Sequence, residues 1–139
     1  MRDRYSLDVT TLDLATATTM QLLIALKRRE VSSVELLDGM LSNIERMNPA
    51  VNAVVAMDME RARAEATAAD NSRAAGDKCG PWHGLPMTIK DCYETLDLVT
   101  AAGAPELSEH MPTRDADVVR LLRRAGAIVW AKTNVPYYA

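Results

Sequence analysis

The stretch RDADVVRLLRRAGAIVWAKTN, Arg114–Asn134, indicates the fold class of this chain. Its first half carries apolar residues at helical spacing and predicts a helix over about residues 115–125. Gly126 supplies the left-handed position at which many helices end. The apolar run at 127–131 then predicts a buried strand. A helix, a glycine and a buried strand in succession are typical of an α/β sheet.

The residues upstream show the same kinds of pattern. The segments T-x-x-Q at Thr18–Gln21 and S-x-x-E at Ser32–Glu35 have the form of capping boxes, so each predicts the start of a helix. The second of these helices is expected to end near Asn48 and Pro49. The predicted elements before residue 115 are helices within about 18–47 and 58–75, and strands at about 51–57 and 85–90.

Length and composition favour one globular α/β unit. The 139 residues are 48% hydrophobic and 25% charged, which is close to the average for such domains. No apolar run approaches the ~20 residues that a membrane helix needs. The first residues, MRDRYSLD, are too polar for a secretory signal. We therefore expect a cytoplasmic protein with no membrane partner.

Charge and cysteine content argue against several other classes of protein. The formal net charge is −3, and the basic pairs Arg28-Arg29 and Arg123-Arg124 fall at predicted helix ends, where they complement the helix dipole. Nucleic acid is therefore not an expected partner. Cys79 and Cys92 are too few for a disulfide framework, and with two isolated histidines they lack a metal-binding spacing. We expect no metal and no cofactor.

Two polar clusters follow predicted strands. Leu85, Met87 and Ile89 alternate with more polar positions in a strand that ends at Lys90-Asp91, and the run at 127–131 ends at Lys132-Thr133-Asn134. Ligands of α/β sheets bind beyond the carboxyl ends of strands, so these ends are candidate site positions. A lysine there is equally explained as a surface charge or as half of an ion pair with its neighbour.

Four ordered segments carry a resemblance to a known family. GPWHGLPMTIKD, residues 80–91, resembles the lysine motif of the amidase signature family, G-P-L-H-G-I-P-V-x-x-K-D. Residues 100–104 (TAAGA) resemble its T-x-x-G-S segment, and residues 114–136 resemble its segment that ends in K-T-N-x-P. Residues 32–55 resemble its N-terminal helix with the exit Asn-Pro-x-x-Asn-Ala. The likeness runs from about Thr18 to Ala139.

The resemblance implies a fold and a reaction. The fold is part of a single amidase-signature domain, in which N-terminal helices are followed by part of a mixed sheet covered by helices. The reaction is hydrolysis of a small carboxamide by a Ser-cisSer-Lys triad, with Lys90 as the final proton acceptor. The matched motifs also contain residues expected to support the site: Gly84, Pro86, Asp91, Gly103 and Asn134.

A lysine that accepts this proton must be neutral. An ordinary lysine has a pKa near 10.4, so a neutral amine at pH 7 requires a shift of about three units. Burial is one cause of such a shift. The resemblance therefore makes a buried strand end the expected place for Lys90.

The serines of the family's triad lie in a glycine- and serine-rich loop that does not occur in these 139 residues. We therefore expect the chain to be a fragment that supplies the lysine and is inactive alone. The rest of the amidase domain would be its partner, in cis or as a second chain. Apolar faces that lack this partner make self-association possible.

Three alternatives stay open. The chain is a non-catalytic remnant or partner-binding subunit with this fold, or it belongs to a glutamine-hydrolysing subunit of a tRNA-dependent amidotransferase. Val135-Pro136 favours a general amidase over that subunit, whose segment usually continues Met-Asp-Glu-Phe. The third is a thiol nucleophile, Cys92, beside Lys90 or with His83.

Overall fold

The computed structural model describes residues 16–139, so residues 1–8, where the sequence predicts no secretory signal, lie outside the described part. The described residues form a mixed α/β structure, as expected. Its elements are α1 (Thr19–Arg28), α2 (Ser33–Val51), β1 (Val54–Met57), α3 (Met59–Ala75), β2 (Pro86–Lys90), a short 3-10 helix (Pro105–Leu107), α4 (Asp117–Arg124) and β3 (Ile128–Thr133). No helix in residues 16–139 is long and apolar enough to cross a membrane.

Both predicted capping boxes are present. At α1 the backbone amide of Gln21 donates to the Thr18 hydroxyl over 3.3 Å, and the Gln21 side chain accepts from the Thr18 amide over 2.7 Å. At α2 the Glu35 amide donates to Ser32 Oγ over 3.1 Å, and the Glu35 carboxylate accepts from the Ser32 amide over 2.8 Å. Each box satisfies amide groups that the first helical turn leaves without partners.

The end of α2 and the start of β1 lie later than the sequence predicts. The helix continues through Pro49 to Val51, and β1 begins at Val54 rather than near residue 51. The Asn48 side chain explains this junction, because it accepts from the Val54 amide over 2.8 Å and donates to the Val54 carbonyl over 2.9 Å. Asn52 follows the helix in a left-handed conformation, with φ at 47°.

The last helix and strand are also displaced from their predicted bounds. α4 begins at Asp117 rather than near residue 115, because the Asp115 carboxylate is used elsewhere: it accepts from the Leu96 amide over 2.9 Å and lies 3.2 Å from Arg123 Nε. β3 continues to Thr133, two residues beyond the predicted end, because its pairing with β2 runs to the end of that strand.

The three strands form one mixed sheet in the order β1-β3-β2. β2 runs parallel to β3, from the pair Pro86 and Ile128 to the pair Lys90 and Thr133, whereas β1 runs antiparallel to β3. β3 is therefore the central strand and is almost wholly buried. α2 and α3 pack against it through Leu37, Ala62, Ala66, Ile128 and Trp130.

Candidate functional site

Lys90 lies at the last position of β2, an outer strand of the described sheet. Its side chain is exposed rather than buried, so the expectation of a buried strand end is wrong for the described residues. The physical reason is the face of β2 on which Lys90 lies: Thr88 and Lys90 point to the same face and both are exposed, so residues 16–139 do not cover it there. Within this part of the chain, Lys90 makes no side-chain hydrogen bond or ion pair, so pairing with Asp91 is also wrong.

Asp91 anchors the chain directly after Lys90. It is 3% exposed, and its backbone amide donates to the Thr133 carbonyl over 2.9 Å. Its carboxylate accepts from the Ala101 amide over 3.1 Å, and its carbonyl accepts from the Ala102 amide over 3.2 Å. These bonds hold both ends of the segment 91–102, which follows β2, against the end of β3.

Lys132 is the buried lysine of this region. It belongs to the second polar cluster that the sequence predicts at a strand end, but no role was predicted for it. It is 0% exposed, and its ammonium donates to the Tyr93 carbonyl (2.6 Å), the Thr95 hydroxyl (3.2 Å) and the Thr100 hydroxyl (2.7 Å). Asp91 Oδ1 lies 3.5 Å away. Burial lowers the pKa of Lys132 below its ordinary value, and the Asp91 carboxylate opposes part of that shift.

A sequence signal for this burial did exist. The predicted strand ended at Ala131, which placed Lys132 just outside it. The apolar run IVWA leads directly into that lysine. This is also the pattern of a buried strand that includes the lysine. The hydroxyls that enclose the ammonium come from a loop more than 30 residues away, and no local pattern connects them.

Gly103 closes the segment that follows β2. Its φ is 69°, and a Cβ atom there would lie 2.5 Å from the Pro136 carbonyl oxygen and 2.6 Å from that of Val135. The neighbouring Ala102 carbonyl accepts from the Tyr138 amide over 2.8 Å. The TAAG segment therefore packs directly on the chain that leaves β3, and only glycine fits at this point.

Asn134 is directed towards β1. Its backbone amide donates to the Ala53 carbonyl over 2.8 Å, and its side chain donates to the Asn52 carbonyl over 3.0 Å. Its side-chain oxygen accepts from the Val135 amide over 2.8 Å. Because β1 and β2 lie on opposite sides of β3, these contacts are away from Lys90. Asn134 is thus a turn residue whose hydrogen bonds connect the end of β3 to the two residues before β1.

Gly84 and Pro86 lie at the opposite end of β2 from Lys90. Pro86 is buried and pairs with Ile128, about 13 Å from Lys90 along the strand. Gly84 has φ of 77°, and a Cβ there would collide with the Ser33 hydroxyl and come within 2.5 Å of Arg73 Nη2. These two residues therefore fix where β2 begins.

The pairing of Cys92 with His83 is not supported by the placement of the two residues. Cys92 is a half-buried free thiol just beyond the end of β2, whereas His83 precedes the start of that strand. His83 Nε2 lies 2.9 Å from the Ala69 carbonyl oxygen, and this contact requires the ring to donate from Nε2. The imidazole is thus held by α3 and does not face Cys92.

Comparison with known proteins identifies the family. The family model described as Amidase matches residues 35–139, which is most of the chain. The fold, the lysine at the end of β2 and this match agree: the chain belongs to the amidase signature family.

Three relatives illustrate the similarity. The A subunit of the glutamyl-tRNA(Gln) amidotransferase from Roseiflexus sp. (strain RS-1) is 42% identical over 115 residues, which are 83% of this chain and 23% of that protein. The acylamidase of Rhodococcus erythropolis is 36% identical over 106 residues, 76% of this chain and 22% of that protein. The structure of a peptide amidase from Stenotrophomonas maltophilia superposes with a TM-score of 0.81 at 34% identity, over 90% of this chain and 26% of that one. This chain therefore spans about a quarter of the length of the proteins that it matches.

Proposed function

We propose that this chain supplies the proton-accepting lysine, Lys90, to an enzyme that hydrolyses small carboxamides to an acid and ammonia or an amine. The observation that carries the proposal is the position of Lys90: the lysine of the family motif ends β2, on an open side of the sheet, directly before the anchored Asp91. An exposed amine without a partner in residues 16–139 is available to groups from outside this segment.

The proposed reaction is acyl transfer through a serine. A nucleophilic serine attacks the amide carbonyl, and its proton passes through a bridging serine to the neutral amine of Lys90. The tetrahedral intermediate collapses with protonation and loss of ammonia or an amine, and water then hydrolyses the acyl-enzyme. Both serines come from the rest of the amidase domain, in the same polypeptide or in a second one. That part of the domain would also cover β2 and remove water from the lysine.

Ammonia release from a panel of simple carboxamides tests the proposal. We expect turnover when residues 1–139 are present together with the serine-containing remainder of the domain, and none from residues 1–139 alone. Lys90→Ala in the complete domain is expected to lower kcat by a factor of about 100 to 10,000, the usual loss of a general base. Lys78→Ala, at an exposed residue after α3, is the matched control. Full activity of Lys90→Ala would show that the chain is a non-catalytic, partner-binding segment instead.

A glutamine-hydrolysing activity is the second candidate. The observation that favours it is the 42% identity with the A subunit of the amidotransferase, above the 36% identity with the acylamidase. Val135-Pro136 favours the general amidase. Comparison of kcat/KM for free glutamine with that for unsubstituted aliphatic amides distinguishes the two, because an amidotransferase subunit is expected to prefer glutamine by at least about tenfold, which is a difference of about 1.4 kcal/mol.

A further inference from the structure

The buried ammonium of Lys132 binds several residues of the segment that follows Lys90, the proposed proton acceptor. Lys132 pairs in register with Ile89 on β2, and its three hydrogen bonds reach Tyr93, Thr95 and Thr100. An ammonium has three donor hydrogens, so these three acceptors saturate it. Thus residues 93–100 are held around a single atom that lies on the central strand.

The same ammonium faces the residue next to Lys90. Its Nζ lies 3.5 Å from Asp91 Oδ1, while the other carboxylate oxygen accepts from the Ala101 amide. The side chain of Lys90 makes no hydrogen bond or ion pair within residues 16–139. The direction of this side chain is therefore set by the backbone at positions 90 and 91. The contacts that hold Asp91 in place thus also influence the direction in which the Lys90 side chain points.

We propose that Lys132 is a positioning residue for the amide hydrolysis: its ammonium holds the segment 91–100 and Asp91, and so fixes the direction of the Lys90 side chain. This inference rests on the proposed function, because it assigns to Lys132 an effect on the reaction that Lys90 performs.

Stability alone is a weak explanation for this cation. Removal of an ammonium from water is unfavourable, and buried ion pairs are often matched or exceeded in stability by apolar residues of similar size. Burial lowers the pKa of Lys132, and the Asp91 carboxylate opposes part of that shift. Four oxygen atoms from one segment nevertheless converge on it. The arrangement therefore specifies one conformation of that segment.

The experiment is steady-state kinetics of the complete enzyme with a simple carboxamide. Lys132→Met keeps the length of the side chain and removes the charge. We expect kcat to fall at least about tenfold with KM changed by less than about twofold, because a displacement of the order of 1 Å in a catalytic group costs up to about 100-fold. Lys132→Arg retains a cation and is expected to keep more of kcat than Lys132→Met. The matched control is Lys78→Met, with kcat and KM unchanged.

A milder variant covers the case in which Lys132→Met does not fold. Thr100→Val removes the hydrogen bond of 2.7 Å from Lys132, together with a longer one of 3.4 Å from the Thr100 hydroxyl to the Leu98 carbonyl, and leaves the ion pair of Lys132 with Asp91 in place. We expect kcat to fall roughly threefold to tenfold with KM unchanged, in line with the loss of about one hydrogen bond. An unchanged kcat in folded Lys132→Met, or in Thr100→Val, would overturn the proposal.

Lys90→Ala separates failure of this inference from failure of the proposed function. If Lys90→Ala is inactive while Lys132→Met retains kcat, the proposed function stands and Lys132 is only structural. If Lys90→Ala retains full activity, the proposed function fails, and the positioning role fails with it.

Discussion

Lys132 Nζ lies 3.5 Å from Asp91 Oδ1, in an ion pair whose side chains are 0% and 5% exposed. The pair joins the central strand of the sheet to the residue that follows the proposed proton acceptor. Three further oxygens from the same segment surround the ammonium. In this region the buried charges thus belong to Lys132 and Asp91, whereas Lys90 is exposed.

The first prediction concerns the stability of this pair. Lys132→Met leaves the Asp91 carboxylate buried without its cation, so we expect the free energy of unfolding to fall by about 3–5 kcal/mol. Denaturant titration measures the change. Lys78→Met, at an exposed position, should change the free energy of unfolding by no more than about 0.5 kcal/mol. Equal stabilities for the two variants would contradict a buried ion pair.

The second prediction compares two glycines with positive φ. Gly76, with φ at 81° and no atom within 4 Å of a Cβ built there, reports only the cost of the left-handed conformation, so Gly76→Ala should destabilise by about 1 kcal/mol. Gly103→Ala carries the same conformational cost and adds a clash with the Pro136 carbonyl oxygen. We expect Gly103→Ala to lower the free energy of unfolding by at least about 2 kcal/mol more than Gly76→Ala does. Thermal or denaturant unfolding of both variants measures the two losses of stability. Similar values would show that the chain at Pro136 moves away from a Cβ at position 103 without strain.

The third prediction concerns acid stability. Burial pushes the pKa of Asp70 upwards, but hydrogen bonds from the Ser33 and Val34 amides and from Arg73 outweigh it and leave the pKa below its ordinary value. The folded pKa is therefore below the unfolded one. The resulting stability is fully present above the unfolded pKa and is lost as pH falls through the folded pKa.

Asp70→Asn tests this. We expect a loss of about 1–2 kcal/mol at pH 7, because a charged acceptor is removed from the first turn of α2. The free energy of unfolding should then depend less on pH below about 4 than it does in the unaltered chain. Urea titrations between pH 3 and pH 7 measure both effects, with the exposed Asp77→Asn as control. A pH dependence identical to that of the unaltered chain would contradict the prediction.

The elements of this fold were predictable where their signals are local. The capping boxes at Thr18 and Ser32 and the glycine end at Gly126, with φ at 97°, each depend on residues within one helical turn, and each is present. The motif lysine was likewise placed correctly at a strand end.

What the sequence did not reveal depends on contacts between distant segments. The exposure of Lys90 depends on which face of β2 the other described elements cover, and no single motif encodes that. The burial of Lys132 depends on hydroxyls more than 30 residues away. The contact of Asn134 with Asn52, which lies just before β1, depends on a partner 82 residues distant. In each case the residue type was noticed, but its neighbours were not deducible from local spacing.

The central position of β3 also bears on how the protein emerges during synthesis. Among residues 16–139, β1 and β2 pair only with β3, yet β3 is the last of the three strands to leave the ribosome. Residues 91–127 separate it from β2, and at ~5–20 residues per second their translation takes about 2–7 seconds. We expect nascent chains arrested before Ile128 to be cleaved readily by protease at β1 and β2, and chains extended past Thr133 to be protected. The sheet is therefore completed in one late event, on which the placement of Lys90 depends.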